Sequence, residues 1–167
     1  MRYLFLLLCA CMPMMLKAQF NTAAANNKPP YLQYPVKPAF EMTLPDGHKI
    51  TKNDLRKEKT MVFVFSVDCD HCKHLTEEML RNMDKFKKYQ ILMVTPFNVD
   101  QMKEYYKQYN IAKYPNIIMA SEPTRQIMYF YDLHYFPGLY IYSAKDKFVK
   151  GFEGSAKVDS LLFYLNK

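Results

Sequence analysis

The chain has 167 residues, half of them hydrophobic, and a formal net charge of +7. That length and apolar content suit one domain whose core needs no staples, and they exclude a chain disordered by composition. The basic excess is spread over Lys49, Lys52, Lys57, Lys85, Lys87, Lys88, Lys145 and Lys150, a solvated surface without the concentrated stripe a nucleic acid needs, so no nucleic-acid partner is expected.

Residues 1–18 read as a signal peptide. Arg2 supplies the positive start, Tyr3 to Leu16 an apolar stretch broken only by Pro13, and Ala18 a small residue before Gln19. The stretch is short for a membrane span, which takes about 20 apolar residues. A lipoprotein signal is the alternative, with Cys11 as the lipid anchor after Leu8-Cys9-Ala10. Cleavage after Ala18 removes Cys9 and Cys11, and Cys69 and Cys72 remain as the only cysteines of the mature chain. The predicted location is exported and periplasmic, or membrane-associated through that anchor, where disulfides persist. A disulfide closing so short a loop removes little unfolded-state entropy, so stapling explains the pair poorly.

Residues 19–37, rich in Asn, Ala, Pro and Lys, read as a flexible leader, and a folded domain is expected over 38–167. Phe40, Met42 and Leu44 alternate with Glu41 and Thr43 at strand period; Pro45-Asp46-Gly47 turns the chain and His48-Lys49-Ile50 resumes it. A helical turn is expected around Asn53-Asp54-Leu55. Met61 to Phe65 is a buried central strand, followed by a helix with Leu75, Met79, Met83 and Phe86 on one face. Ile91 to Val94 is a second buried strand. Asn98 caps the next helix, with Gln101 as capping-box partner and Val99, Met102, Tyr106 and Tyr109 as its apolar stripe.

Pro115 to Met119 suggests a short strand, and residues 123–134 a helix with Pro123 in its first turn. Leu139 to Tyr142 and Lys147 to Val149 form a hairpin around Ala144-Lys145-Asp146. Ser155 caps a last helix that turns Val158, Leu161, Leu162 and Leu165 inward. Strands alternating with helices, plus a late hairpin, predict an α/β fold: a central mixed sheet flanked by helices, with an N-terminal hairpin extension.

Cys69-Asp70-His71-Cys72 falls where a buried strand hands over to a helix. Unpaired N–H groups and the macrodipole of a helix N-terminus favour an anion, here the thiolate of Cys69. Cys72, one turn on, is placed to attack a mixed disulfide and release reduced substrate. Protonated His71 aids the thiolate; Asp70 and Asp68 oppose it, or cap the helix. A zinc site usually needs four ligands; Cys69 and Cys72 with His71 or His74 supply only part of one, and no second CxxC exists, so no metal is expected. Haem attachment fails at Lys73. His48, His74 and His134 are expected at the surface or behind the site.

These residues resemble the thioredoxin superfamily, most closely its exported TlpA/ResA-type thiol–disulfide proteins common in Bacteroidota. The resemblance covers 38–167 through Pro38-Ala39-Phe40, Asp46-Gly47, Leu55, the Phe65 strand, Cys69-Asp70-His71-Cys72 and Phe136-Pro137. It implies a thioredoxin-like fold, a redox-active Cys69–Cys72 disulfide, and a cis Pro137 facing that pair. Phe136 and Pro137 would then position substrate. No cofactor is implied. The implied partners are exported proteins with thiols or disulfides, and an unidentified membrane or periplasmic electron donor or acceptor. The resemblance has departures: Asp68 replaces the usual aromatic, and Phe63 and Leu75 stand where relatives carry an acidic residue. No proton-relay carboxylate is identifiable, Glu77 being the nearest acid downstream. The departures leave two alternatives: a non-catalytic binding module with a resting disulfide, and a metal-handling protein. Ser66-Val67-Asp68-Cys69 also echoes peroxiredoxins, whose proline would fall at Val62.

Overall fold

The structure, a computed structural model, describes residues 28–167. The expected signal peptide, Cys11 and residues 19–27 of the leader lie outside the described residues. In chain order the elements are α1 (Pro30–Gln33), β1 (Met42–Thr43), β2 (Lys49–Ile50), a 3-10 turn (Lys52–Asp54), β3 (Thr60–Val64), α2 (Asp70–Arg81), α3 (Met83–Phe86), β4 (Gln90–Thr95), α4 (Val99–Gln108), a second 3-10 turn (Ile111–Lys113), β5 (Ile117–Ser121), α5 (Gln126–Tyr131), β6 (Gly138–Tyr142), β7 (Phe148–Glu153) and α6 (Val158–Asn166).

One seven-stranded mixed sheet runs β2-β1-β5-β4-β3-β6-β7. β3, β4 and β5 are parallel, and β6 lies antiparallel beside β3 with Val64 opposite Gly138. Both faces are buried, so the central strands read as unbroken apolar runs. Met61, Phe63 and Phe65 point to a core shared with α2, α4 and α6; Val62 and Val64 point to the opposite core, with Ile127 and Tyr131 of α5. The β3–β6 register has a direct consequence. The segment leaving β3 and the segment entering β6 meet at one end of the sheet, and these carry Cys69 and Pro137.

Four boundaries differ from expectation, each for a local reason. Residues 30–37 are not free leader. Tyr31 packs edge-on against Tyr140 and Phe148 at 5.3 and 5.1 Å between ring centroids. Phe148 N donates to Pro35 O at 2.9 Å, and buried Lys37 pairs with Asp146 at 2.9 Å. The long helix after Cys69 breaks at Asn82, whose side chain donates back to Glu78 O at 2.9 Å. α5 begins only at Gln126, because Arg125 takes a left-handed conformation and buried Glu122 accepts from Ile127 N at 2.9 Å. Lys157, not Ser155, stands at the N-cap of α6, with no side-chain cap. Asn98 does cap α4, accepting from Gln101 N at 2.9 Å. The helix buries Met102 and Tyr105, while Val99, Tyr106 and Tyr109 are only partly covered.

Candidate active site

The chain leaves β3 through Ser66, Val67 and Asp68 and enters α2 at Cys69. Cys69 is itself the N-cap: its backbone is extended and its sulfur accepts from Cys72 N at 3.2 Å. Neither Asp68 nor Asp70 caps the helix, a correction to the sequence reading. The sulfur therefore occupies the place where a capping oxygen ordinarily meets the orphan N–H groups of the first turn.

The two thiols are free and unequally placed: Cys69 is half-buried at the rim, Cys72 fully buried beneath it. Burial pushes the Cys72 thiol far above its ordinary value, and its hydrogen bond with Cys69 pushes the same way. The site thus holds one accessible sulfur with backbone N–H stabilisation and one that stays protonated until something takes its proton.

Pro137 closes the other side. The Phe136–Pro137 bond is cis, Pro137 is buried, and Phe136 O lies 3.9 Å from Cys69 Sγ. Phe136 is partly buried against both cores, while Tyr135 before it is 72% exposed. The fold thus gathers Cys69, Cys72, Phe136 and Pro137. The remaining sequence candidates sit outside that contact set. Asp70 is exposed and pairs with Lys73 at 3.3 Å. His71 is exposed, and among the described residues it makes no side-chain hydrogen bond or ion pair; the Asp68 carboxylate also makes none. His48 pairs with Asp46 at the exposed tip of the first hairpin, 2.9 Å away, and His134 lies near Asp132 and Glu153. Among the described residues, no group of three or more His, Cys, Asp or Glu side chains is arranged to hold a metal. The sequence reading missed two polar groups beside the pair: Thr76, four residues after Cys72, and Tyr105, hydrogen-bonded to it at 2.9 Å. The i, i+4 spacing was the available signal for Thr76.

A mixed sheet with a dithiol at the first turn of the helix after its central strand, facing a cis proline, defines a thioredoxin-like α/β protein. Residues 36–150 match the AhpC/TSA family, and the chain belongs to that family. No curated protein is similar enough to be matched to it. Similar solved structures include a secreted Mycobacterium tuberculosis disulfide oxidoreductase homologous to E. coli DsbE, 14% identical, with 77% of this chain and 95% of that one covered at a TM-score of 0.64. The exposed lipoprotein thioredoxin Etrx1 of Streptococcus pneumoniae is 19% identical, with 76% and 97% covered and a TM-score of 0.62. Arabidopsis thaliana ScoI, a structure with copper bound, is 19% identical, with 78% and 98% covered and a TM-score of 0.63. At such identities the likeness speaks for the fold. Among the described residues no helix is long and apolar enough to cross a membrane.

Proposed function

We propose that this protein is an exported thiol–disulfide oxidoreductase of the TlpA/ResA type, exchanging disulfides with exported protein substrates. The observation that carries the reading is the contrast between the two sulfurs. Cys69 Sγ sits at the rim, held by Cys72 N at 3.2 Å; Cys72 is sealed beneath it. A nucleophile must be reached by substrate and a resolving thiol need not be. Cys69 attacks a substrate disulfide and forms the mixed disulfide. Cys72 then attacks Cys69 Sγ, and the substrate leaves as a thiol. Phe136 and Pro137 offer backbone and an apolar wall to an extended substrate, in the manner of an added strand. A membrane or periplasmic dithiol partner resets the pair.

The test is trapping. Cys72→Ser should accumulate mixed disulfides with exported proteins on non-reducing gels, and Cys69→Ser should accumulate none. Equal trapping by both variants defeats the assignment of roles. Failure of the unaltered protein to accelerate insulin reduction by dithiothreitol at any pH would leave a binding scaffold.

A further inference from the structure

The cysteine that has to resolve the mixed disulfide lies wholly inside the core, so its proton needs a way out. The groups acting on the Cys72 thiol are burial, Cys69 and nearby backbone, with no carboxylate among them. In the same core lie buried Ser66, whose backbone acts on the thiol, and a hydrogen-bonded pair of hydroxyls among apolar side chains. Thr76 lies four residues beyond Cys72 on the same face of α2 and is completely buried. Helical side chains lean toward the N-terminus, so Thr76 covers the turn that holds Cys72. Its hydroxyl meets the phenol of Tyr105 at 2.9 Å, and either oxygen can donate.

Tyr105 comes from α4, is itself buried, and packs on Phe65 with ring centroids 4.7 Å apart. Burial holds its phenol protonated against the bond from Thr76, and the charges of Tyr109, Cys72 and Cys69 act with burial. Tyr109 follows at 4.5 Å, ring to ring, and is partly open to solvent. Burial raises its phenol, as does Glu77, while Lys73 acts to lower it. One hydroxyl pair, from Thr76 and Tyr105, therefore lies between the turn that holds Cys72 and the half-exposed Tyr109 ring. Packing alone does not require the hydroxyls: valine and phenylalanine would fill the Thr76 and Tyr105 sites at about the same stability.

We propose that the Thr76–Tyr105 hydroxyl pair is the proton outlet of Cys72, with Tyr109 as its solvent end. The proposal rests on the oxidoreductase reading above. As Cys72 Sγ attacks Cys69 Sγ, its proton passes to Thr76 Oγ1, the Thr76 proton passes to the Tyr105 oxygen, and the Tyr105 proton leaves by way of Tyr109 to water. The Cys69–Cys72 bond forms and the bond from Cys69 to substrate sulfur breaks. The two cysteines are oxidised by two electrons, and the substrate leaves as a thiolate that takes a proton from water.

Stoichiometric Ellman's reagent separates the steps in the chain whose Cys9 and Cys11 are replaced by serine. Attack by Cys69 releases one nitrothiobenzoate, and attack by Cys72 releases the second; stopped-flow absorbance reads both phases. Tyr105→Phe and Thr76→Val should keep the first phase and slow the second on the order of 10²-fold near neutral pH. That gap should close as pH rises and hydroxide takes the proton directly. Thr76→Ser, which keeps the hydroxyl, should run at the unaltered rate. An unchanged second phase in Tyr105→Phe overturns the proposal, as does a slowing by the same factor at every pH, the mark of a packing role. Absence of the first phase in the unaltered chain instead overturns the oxidoreductase reading, and the outlet with it.

Discussion

Cys69 and Cys72 have the same chemistry and opposite environments, and the residues around them enforce the difference. Gly138 is one of these. It follows Pro137, pairs with Val64, and has no room for a side chain: an added Cβ would meet Leu133 Cδ1 at 2.6 Å and Tyr140 Cε2 at 2.9 Å. The tip of Leu133 can move. The Tyr140 ring cannot easily do so, because it stacks on Tyr131 at 3.5 Å. Overpacking a filled site costs about 1–3 kcal/mol. Gly138→Ala is therefore expected to lose about that much stability in urea titrations. It should also slow disulfide exchange, since the strain displaces the segment that sets Phe136 O against Cys69. A variant with unchanged midpoint and unchanged rate would show that the loop absorbs a methyl group freely.

At the scale of elements, residues 30–37 act as a strap on the α5 side of the sheet, from Tyr31 over Tyr131 and Tyr140 to Lys37 at Asp146. Lys37 is 6% exposed, and its ammonium and its backbone N–H both bind the Asp146 carboxylate, at 2.9 and 3.1 Å. Asp146→Ala would leave that lysine buried without its partner, and Lys52, 3.6 Å from the same carboxylate, would lose its contact as well. Asp146 is itself a third exposed, so the expected loss is about 2–3 kcal/mol, below that for a fully buried pair. Burial acts to raise the Asp146 carboxyl, but the hydrogen bonds and charge of Lys37, with Lys52, hold it below its ordinary value of 3.8. Its contribution is thus intact above that value and disappears as pH falls through the lowered one. Melting temperatures of the variant and the unaltered chain should differ at neutral pH and converge in strong acid. The strap also marks a limit of reading sequence. Met61 to Phe65, Ile91 to Val94 and the Asn98 cap announce themselves by local pattern, as does the placing of Cys69 at a strand-to-helix junction. Tyr31 among prolines and lysines has no period, and its partners, Tyr140 and Phe148, lie over a hundred residues away. The hydrogen bond that meets buried Tyr105 comes from Thr76, 29 positions earlier. Those are tertiary facts that no local window contains.

For the whole molecule, the unusual feature is how many phenols are enclosed on the two sides of the sheet. Tyr131 and Tyr142 share a hydrogen bond at 3.0 Å in one core, with Tyr140 stacked beside them; Tyr105 lies in the other. Burial raises all four phenols above the ordinary value of 10.0. Cys72 is raised likewise from 9.0. In the unfolded chain these groups release protons near their ordinary values, while in the folded protein they keep them. The folded state then binds more protons than the unfolded one, so stability falls as pH rises. Below about pH 9 the effect is absent. Above about pH 10 each phenol contributes a loss of about 1.4 kcal/mol per pH unit until its folded value is reached. With four phenols acting together, a domain of ordinary stability, about 5–15 kcal/mol, should unfold within roughly one to three units. Circular dichroism melts between about pH 8 and pH 12 should show a flat region followed by a steep fall. Tyr131→Phe should start lower, because Tyr142 loses its partner, and then fall less steeply, with one titrating group fewer. A melting temperature that stays level to about pH 12, or equal slopes for the variant and the unaltered chain, would show that these phenols reach solvent without unfolding.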